Sequence, residues 1–221
     1  MKRYGLTAAV LCLCVGAAGA ADKNNQVLLL GGFAVPTTRV DFGGVGGSKE
    51  TIGSAGGFVA GQFFHAVHPR VSLGGEINYI GNGSSDVNSI PTFASSTRMD
   101  SVSFLALLKG YFNDPAPWRF YGSGGFGAQN TVFNSDVHPK AGFVWADTGT
   151  TETRHLRSSS VTSFAMALGF GFEALVSDSF FLGGEGRFQF AAADHYAIAN
   201  TIVDRLSVHN LIFAAKAGLR F

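Results

Sequence analysis

The sequence predicts an all-β protein, an eight-stranded antiparallel up-and-down transmembrane β-barrel. Three observations point there. Bulky residues alternate with small or polar ones at period two along run after run. The connections between runs are alternately short and long. Only 14% of the 221 residues are charged, where soluble domains carry roughly 25%.

The first residues stand outside that pattern. Lys2 and Arg3 precede an apolar stretch from Leu6 to Ala17, and Ala18-Gly19-Ala20 supplies a small-x-small cleavage pattern. Together they predict a signal peptide over 1–20 and a barrel domain over 21–221. The apolar stretch is too short for a convincing membrane helix. Cys12 and Cys14 each follow a leucine, so neither fits a lipobox, and both leave with the signal. The exported chain then has no disulfide, thiolate metal site or cysteine nucleophile. Losing Lys2 and Arg3 removes two positive charges from a formal net of +1, leaving −1. That balance argues against a nucleic-acid partner, which normally demands a basic face. Glycine accounts for 30 residues, roughly twice the usual share. Much of it lies inside apolar runs, where it weakens helices but suits closely packed strands.

Taken in order, the runs are Gln26–Val35, Gly57–Val67, Arg70–Gly81, Ser101–Phe112 and Pro117–Gln129, followed by three that alternate cleanly. The facing of Phe58 to His65 is undecided. In the fourth run Leu105 and Leu107 share a face with Lys109 and Tyr111. In the sixth, Phe164, Met166, Leu168, Phe170 and Phe172 oppose Ser163, Ala165, Ala167, Gly169, Gly171 and Glu173. In the seventh, Phe180, Leu182, Phe188 and Phe190 oppose Glu185, Arg187 and Gln189. In the eighth, Leu211, Phe213, Ala215, Ala217, Leu219 and Phe221 oppose Asn210, Lys216, Gly218 and Arg220. Each run supplies the roughly 9 to 11 residues that a tilted strand needs to cross a bilayer.

The short connections are His68-Pro69, Asn113-Asp114-Pro115-Ala116 and Ser177-Asp178, all built from turn-forming residues. The long ones are expected at about 36–56, 82–100, 130–160 and 192–206. Strict alternation of short and long suits a barrel with short periplasmic turns and four long outer loops. Period two does not say whether the bulky face meets a core or lipid. The shortage of charge selects lipid, as do Phe112, Trp118, Phe180 and Phe221 near the short turns or the terminus, where an interfacial girdle sits.

Three segments carry a resemblance to a known group. Trp118-Arg119-Phe120-Tyr121-Gly122-Ser123-Gly124-Gly125-Phe126-Gly127 is an aromatic-then-glycine strand. The segment from His68-Pro69-Arg70 through Glu76 to Tyr79 is a turn followed by a glutamate-bearing strand. The terminal Ala215-Lys216-Ala217-Gly218-Leu219-Arg220-Phe221, with Phe213 in register, ends on phenylalanine. The exported chain resembles the small opacity-type and outer membrane protein A/X-type barrels of Gram-negative bacteria. The resemblance implies an outer-membrane location. It also implies that Phe213, Leu219 and Phe221 form an assembly signal for the barrel-assembly machinery. It implies little about task, since such barrels serve as adhesins, stabilisers, narrow channels and enzymes.

An eight-stranded barrel has an interior just wide enough for its own side chains. Parity turns Arg70, Glu76, Lys109, Arg119, Glu173, Glu185, Arg187, Lys216 and Arg220 inward, where charges must pair. The expectation is a salt-bridge network that plugs the lumen, so that alanine at Glu185 costs more stability than alanine at Glu152 in an outer loop. For enzymatic chemistry, the lipid A deacylase pattern places a His-x-Ser pair at the outer rim. Asp194-His195-Tyr196-Ala197 has alanine where that serine is needed, and Ser207 and His209 stand in the reverse order. His65, His68, His138 and His155 lack metal-ligand spacing, and no glycine-rich segment opens a helix to cradle phosphate. No cofactor or metal is expected.

These readings lead to a non-enzymatic surface barrel that presents its outer loops for adhesion and contributes to envelope integrity. Its partners are the lipid bilayer and lipopolysaccharide, and its outer loops contact host, matrix or envelope components; Phe143 and Trp145 in the third loop either anchor such a partner or pack the loop onto the rim. The alternatives are a narrow channel for small or hydrophobic solutes and a rim enzyme acting on lipid A.

Overall fold

The computed structural model describes residues 23–41, 49–51, 53–87, 92–113, 117–198 and 201–221; the expected signal peptide lies outside them. Eight long strands make the fold: β1 (Asn25–Pro36), β2 (Ser54–His68), β3 (Val71–Gly83), β4 (Phe93–Tyr111), β5 (Trp118–Pro139), β6 (Arg154–Leu175), β7 (Phe180–Ile198) and β8 (Thr201–Arg220). Each pairs antiparallel with the next. β8 returns to β1, from Gln26↔Arg220 to Pro36↔Asn210, and the sheet closes. Closure satisfies the backbone without any helix, as a lipid environment requires. No described helix is long and apolar enough to span a membrane.

The three tight connections lie where turn residues occur. At the β4–β5 end, Asn113 Nδ2 donates to the Trp118 carbonyl and its Oδ1 accepts from the Phe120 N–H, at 2.7 and 2.8 Å. At the β6–β7 end the Phe180 N–H donates to Ser177 Oγ at 3.1 Å. The opposite end departs from expectation. Among the described residues the sheet runs on into segments expected as loop. β4 begins at Phe93 rather than near residue 101, β5 continues to Pro139, and β6 begins at Arg154. β7 and β8 pair out to Ile198↔Thr201. The third loop thus shrinks from 130–160 to 140–153, and the fourth is a hairpin. The first two connections carry short ribbons of their own, Arg39–Asp41 with Lys49–Thr51, and Ser85–Val87 against β4. Alternating hydrophobicity stops where the lipid stops, but backbone pairing does not.

The two faces differ as the alternation implies. Leu108, Ala106, Phe104 and Val102 point out from β4 and are exposed, then Asp100 and Arg98 follow on the same face. On β5, Phe126 and Ala128 give way to Asn130, and on β6, Phe164 gives way to Thr162. A continuous apolar belt this large marks a lipid contact rather than a soluble surface. Its lower edge holds Phe112 and Trp118, 64% and 54% exposed, packed against Phe170 and Phe172. Phe58 and Phe64 turn inward from β2 while Val59 and Phe63 turn out, which is why aromatic content left that strand's facing undecided. Inward glycines make room for large neighbours. A Cβ on Gly171 would lie 2.2 Å from the Tyr121 hydroxyl and 2.6 Å from the Gly184 carbonyl.

Candidate functional site

The lumen is packed, and its chemistry falls into two ion-pair centres. In the first, Glu173 of β6 is fully buried and accepts from Lys109 and Lys216 at 3.0 and 2.9 Å. Arg220 reaches it at 3.4 Å and the Tyr111 hydroxyl donates at 2.9 Å. Lys109 also donates to Gln26, and Lys216 lies 3.8 Å from the centre of the Tyr121 ring. In the second, Arg187 of β7 pairs with Glu76 across the barrel and with Glu185 on its own strand at 2.6 Å. Tyr121 donates to Glu185, and Gln62 and Asn78 both donate to Glu76, each at 2.5 Å.

These groups converge because strands on different sides of a narrow ring each place one inward charge at similar height. Charged pairs this deeply buried hold only when their partners are present and hydrogen-bonded. Above the second centre, Gln189 donates to Ser103 and Gln129 at 2.9 Å each. Hydroxyls of Ser101, Thr131, Thr97 and Ser135 continue the polar lining outward.

Seven of the nine charged residues assigned to the lumen lie buried in these centres: Glu76, Lys109, Glu173, Glu185, Arg187, Lys216 and Arg220. Arg119 is half-buried at the periplasmic mouth, its guanidinium 5.2 Å from the Tyr111 ring centre. Arg70 departs from expectation. It is the second residue of the two-residue β2–β3 turn and is exposed, and the register slips between Ala66 and His68, so strand parity does not extend to it. The neutral partners Gln26, Gln62, Asn78, Tyr111 and Tyr121 were not singled out from sequence, although all share inward parity with the charges. Phe213 and Leu219 face outward in the apolar belt, 43% and 51% exposed. Phe221 pairs through its backbone with Asn25 in both directions at 3.0 Å, completing the seam.

At the far end, loop 140–153 has an organised core. Trp145 stacks on Phe93 with ring centres 4.8 Å apart, and the Arg154 guanidinium lies 4.3 Å over the indole. Arg154 also grips Asp147 through two hydrogen bonds of 2.8 and 2.9 Å, and Trp145 Nε1 donates to the Glu152 carbonyl at 2.7 Å. Phe143 and Val144 stay outside this core, 44% and 51% exposed. Below the loop, His155 and Asp136 are hydrogen-bonded across β6 and β5.

The other sequence candidates are not assembled. Ser207 and His209 share the outward side of β8. His209 packs between Phe188 and Phe190, with ring centres 5.7 and 6.1 Å away, and its Nδ1 has no hydrogen-bond partner among the described residues. The side chain of His195 lies outside the described residues. No group of three or more potential metal ligands occurs among them.

A closed ring of eight strands, apolar outside and ion-paired inside, defines an integral membrane β-barrel. Residues 6–221 match the family described as outer membrane protein beta-barrel domain. The chain belongs to that family and is placed by it in the bacterial outer membrane. Among solved structures it is similar to the outer membrane protein OprG from Pseudomonas aeruginosa, at TM-score 0.54 and 14% identity over 91% of this chain and 98% of that one. It is also similar to Neisserial surface protein A, at TM-score 0.51 and 14% identity over 89% and 97%. At such identity the likeness concerns the fold. Comparison with curated proteins gives no match.

Proposed function

We propose that the protein is a non-conducting surface barrel of the outer membrane, whose sheet extension presents a contact site outside the cell. The filled lumen is the observation that carries this reading. Glu173, Lys109, Arg187 and Gln189 are all between 0% and 3% exposed, and the Arg187–Glu76 pair joins strands on opposite sides of the ring. Water and ions have no ready path through such packing.

The extension supplies the contact site. β5 runs nine residues beyond Asn130 to Pro139, which at about 3.4 Å per residue and a tilt near 40° lifts the loop roughly 25 Å above the apolar belt. Phe143 and Val144 stand too high to reach hydrocarbon, yet are held outward by the stacked and hydrogen-bonded Trp145–Arg154–Asp147 core. Preorganised aromatic and aliphatic side chains of this kind serve as anchors for a partner with an apolar pocket. Host, matrix or neighbouring envelope proteins are the class they suit. Phe221, at the seam, serves the assembly machinery during insertion.

Two measurements test the proposal. Purified barrel in planar bilayers is expected to give no steady conductance; regular single-channel steps would replace this reading with a narrow solute channel. Phe143→Ser with Val144→Ser is expected to abolish binding of intact cells to host or matrix surfaces without changing barrel mobility on unheated gels. Undiminished binding would remove the contact role. A change in lipid A mass spectra on expression, lost in His209→Ala, would instead indicate a rim enzyme.

A further inference from the structure

We propose that the lipid-facing surface carries a site for a single phospholipid of the periplasmic leaflet. Its acyl chain lies in a groove across β4, β5 and β6, and its phosphate lies at Arg70. The groove measures about 530 Å³, within the size range of specific ligand sites. Its walls are Leu108, Phe112 and Leu168, and its floor is Gly110, Gly122 and Gly124. These glycines follow the outward parity of their strands, so a strip of sheet that elsewhere carries phenylalanine or leucine carries no side chain. A Cβ on Gly110 would meet nothing within 4 Å, and one on Gly124 would meet only Leu168, at 3.7 Å. The strip is bare at Gly110 and Gly124 because side chains are missing, while at Gly122 the Phe112 ring edge lies 3.1 Å from where a Cβ would stand.

Position and charge select the occupant. The groove begins at the β2–β3 turn, where Arg70 and Val71 line it, and reaches Leu168, seven residues above the end of β6. That rise is roughly 15 to 20 Å along a tilted strand, close to the hydrocarbon depth of one leaflet at about 15 Å. The bottom of the groove is therefore at headgroup height and its top at the bilayer middle. A cation at the mouth and an apolar cleft above it match a phosphate diester with a fatty acyl chain. Arg70 lies in an exposed turn that lines the groove, which puts it at the membrane interface, where arginine favours phosphate. A second copy of the chain would present its own apolar belt and no anion.

The test uses full-length barrel assembled in nanodiscs of phosphatidylethanolamine and phosphatidylglycerol, transferred to octyl glucoside and weighed by native mass spectrometry. One phospholipid per barrel is expected to survive transfer. Arg70→Gln should lower its retention about fivefold, the weight of one interfacial cation. Gly110→Leu with Gly124→Leu should displace it while leaving the heat-modifiable gel shift of a folded barrel intact. Equal retention in the wild type and both folded variants would overturn the site, as would a lipid-free dimer. Retention that follows the glycine change but ignores Arg70 would overturn the phosphate contact.

Discussion

Removing the Glu173 carboxylate strands two ammonium groups that are each 1% exposed, Lys109 and Lys216, with Arg220 beside them. Desolvated cations left without a counter-charge are destabilising by about 3–5 kcal/mol. Glu173→Ala is therefore expected to lower the unfolding free energy of the detergent-refolded barrel, from urea titration, by that amount, while Glu152→Ala in the exposed loop stays within about 0.5 kcal/mol. Equal shifts would mean that the lumenal pairs contribute nothing beyond surface charge. Steric demand at single positions is equally specific. Gly171→Ala drives a Cβ into both Tyr121 and the Gly184 carbonyl, and is expected to cost about 1–3 kcal/mol. Gly31→Ala faces open space on the lipid side and is expected to be near neutral. Refolding yields of the two variants, measured side by side, check the contrast.

Strand by strand, legibility followed the environment on each face. β6 was plain because Phe164 to Phe172 and Ser163 to Glu173 separate cleanly, one face toward lipid and one toward a narrow lumen that admits small residues. β2 was opaque because Phe58 and Phe64 fill that lumen while Phe63 meets lipid, so size no longer reports side. The outer halves of β4 and β5 were missed for a different reason. Beyond Asn130 the outward residues include Asn134, Asp136 and His138, while the inward ones mix Thr131 and Ser135 with Phe133 and Val137, so bulky apolar side chains no longer mark the outward face. Parity found the buried charges but not Arg70, which sits in a turn, nor the amide and phenol groups that complete each centre.

The outer hairpin of β5 and β6 also makes a pH prediction. The Arg154 guanidinium holds the Asp147 carboxyl below the ordinary aspartate value of 3.8 by hydrogen bonding. The folded loop thus favours the charged form, a preference present above pH 3.8 and lost as pH falls through the depressed value. With Trp118 replaced by phenylalanine, Trp145 emission should stay flat down to about pH 4 and change below it. Arg154→Ala should erase that acid transition.

For the molecule as a whole, the boundary of the apolar belt is the quantity to test. Ile77 faces outward, 47% exposed, six residues above the start of β3. Ile77→Arg near the bilayer middle is expected to cost about 2–4 kcal/mol. Asn134→Arg, on the same side of the sheet but beyond the belt, should lie within about 0.5 kcal/mol. Refolding into vesicles measures both; equal penalties would mean that hydrocarbon does not end where the outward residues turn polar.

The seam between β1 and β8 makes gene order and shape separable. Asn25 and Phe221 hydrogen-bond to each other, so a few flexible residues suffice to join them, and Gly149 in the outer loop offers an exposed place to begin the chain anew. A permuted protein cut there would hold the same eight neighbours in the same circle and should refold in detergent. In living cells the same protein tests the proposal that Phe221 serves insertion, since that residue would stand inside the permuted chain. Comparing the two settings would divide what the finished circle requires from what its delivery requires.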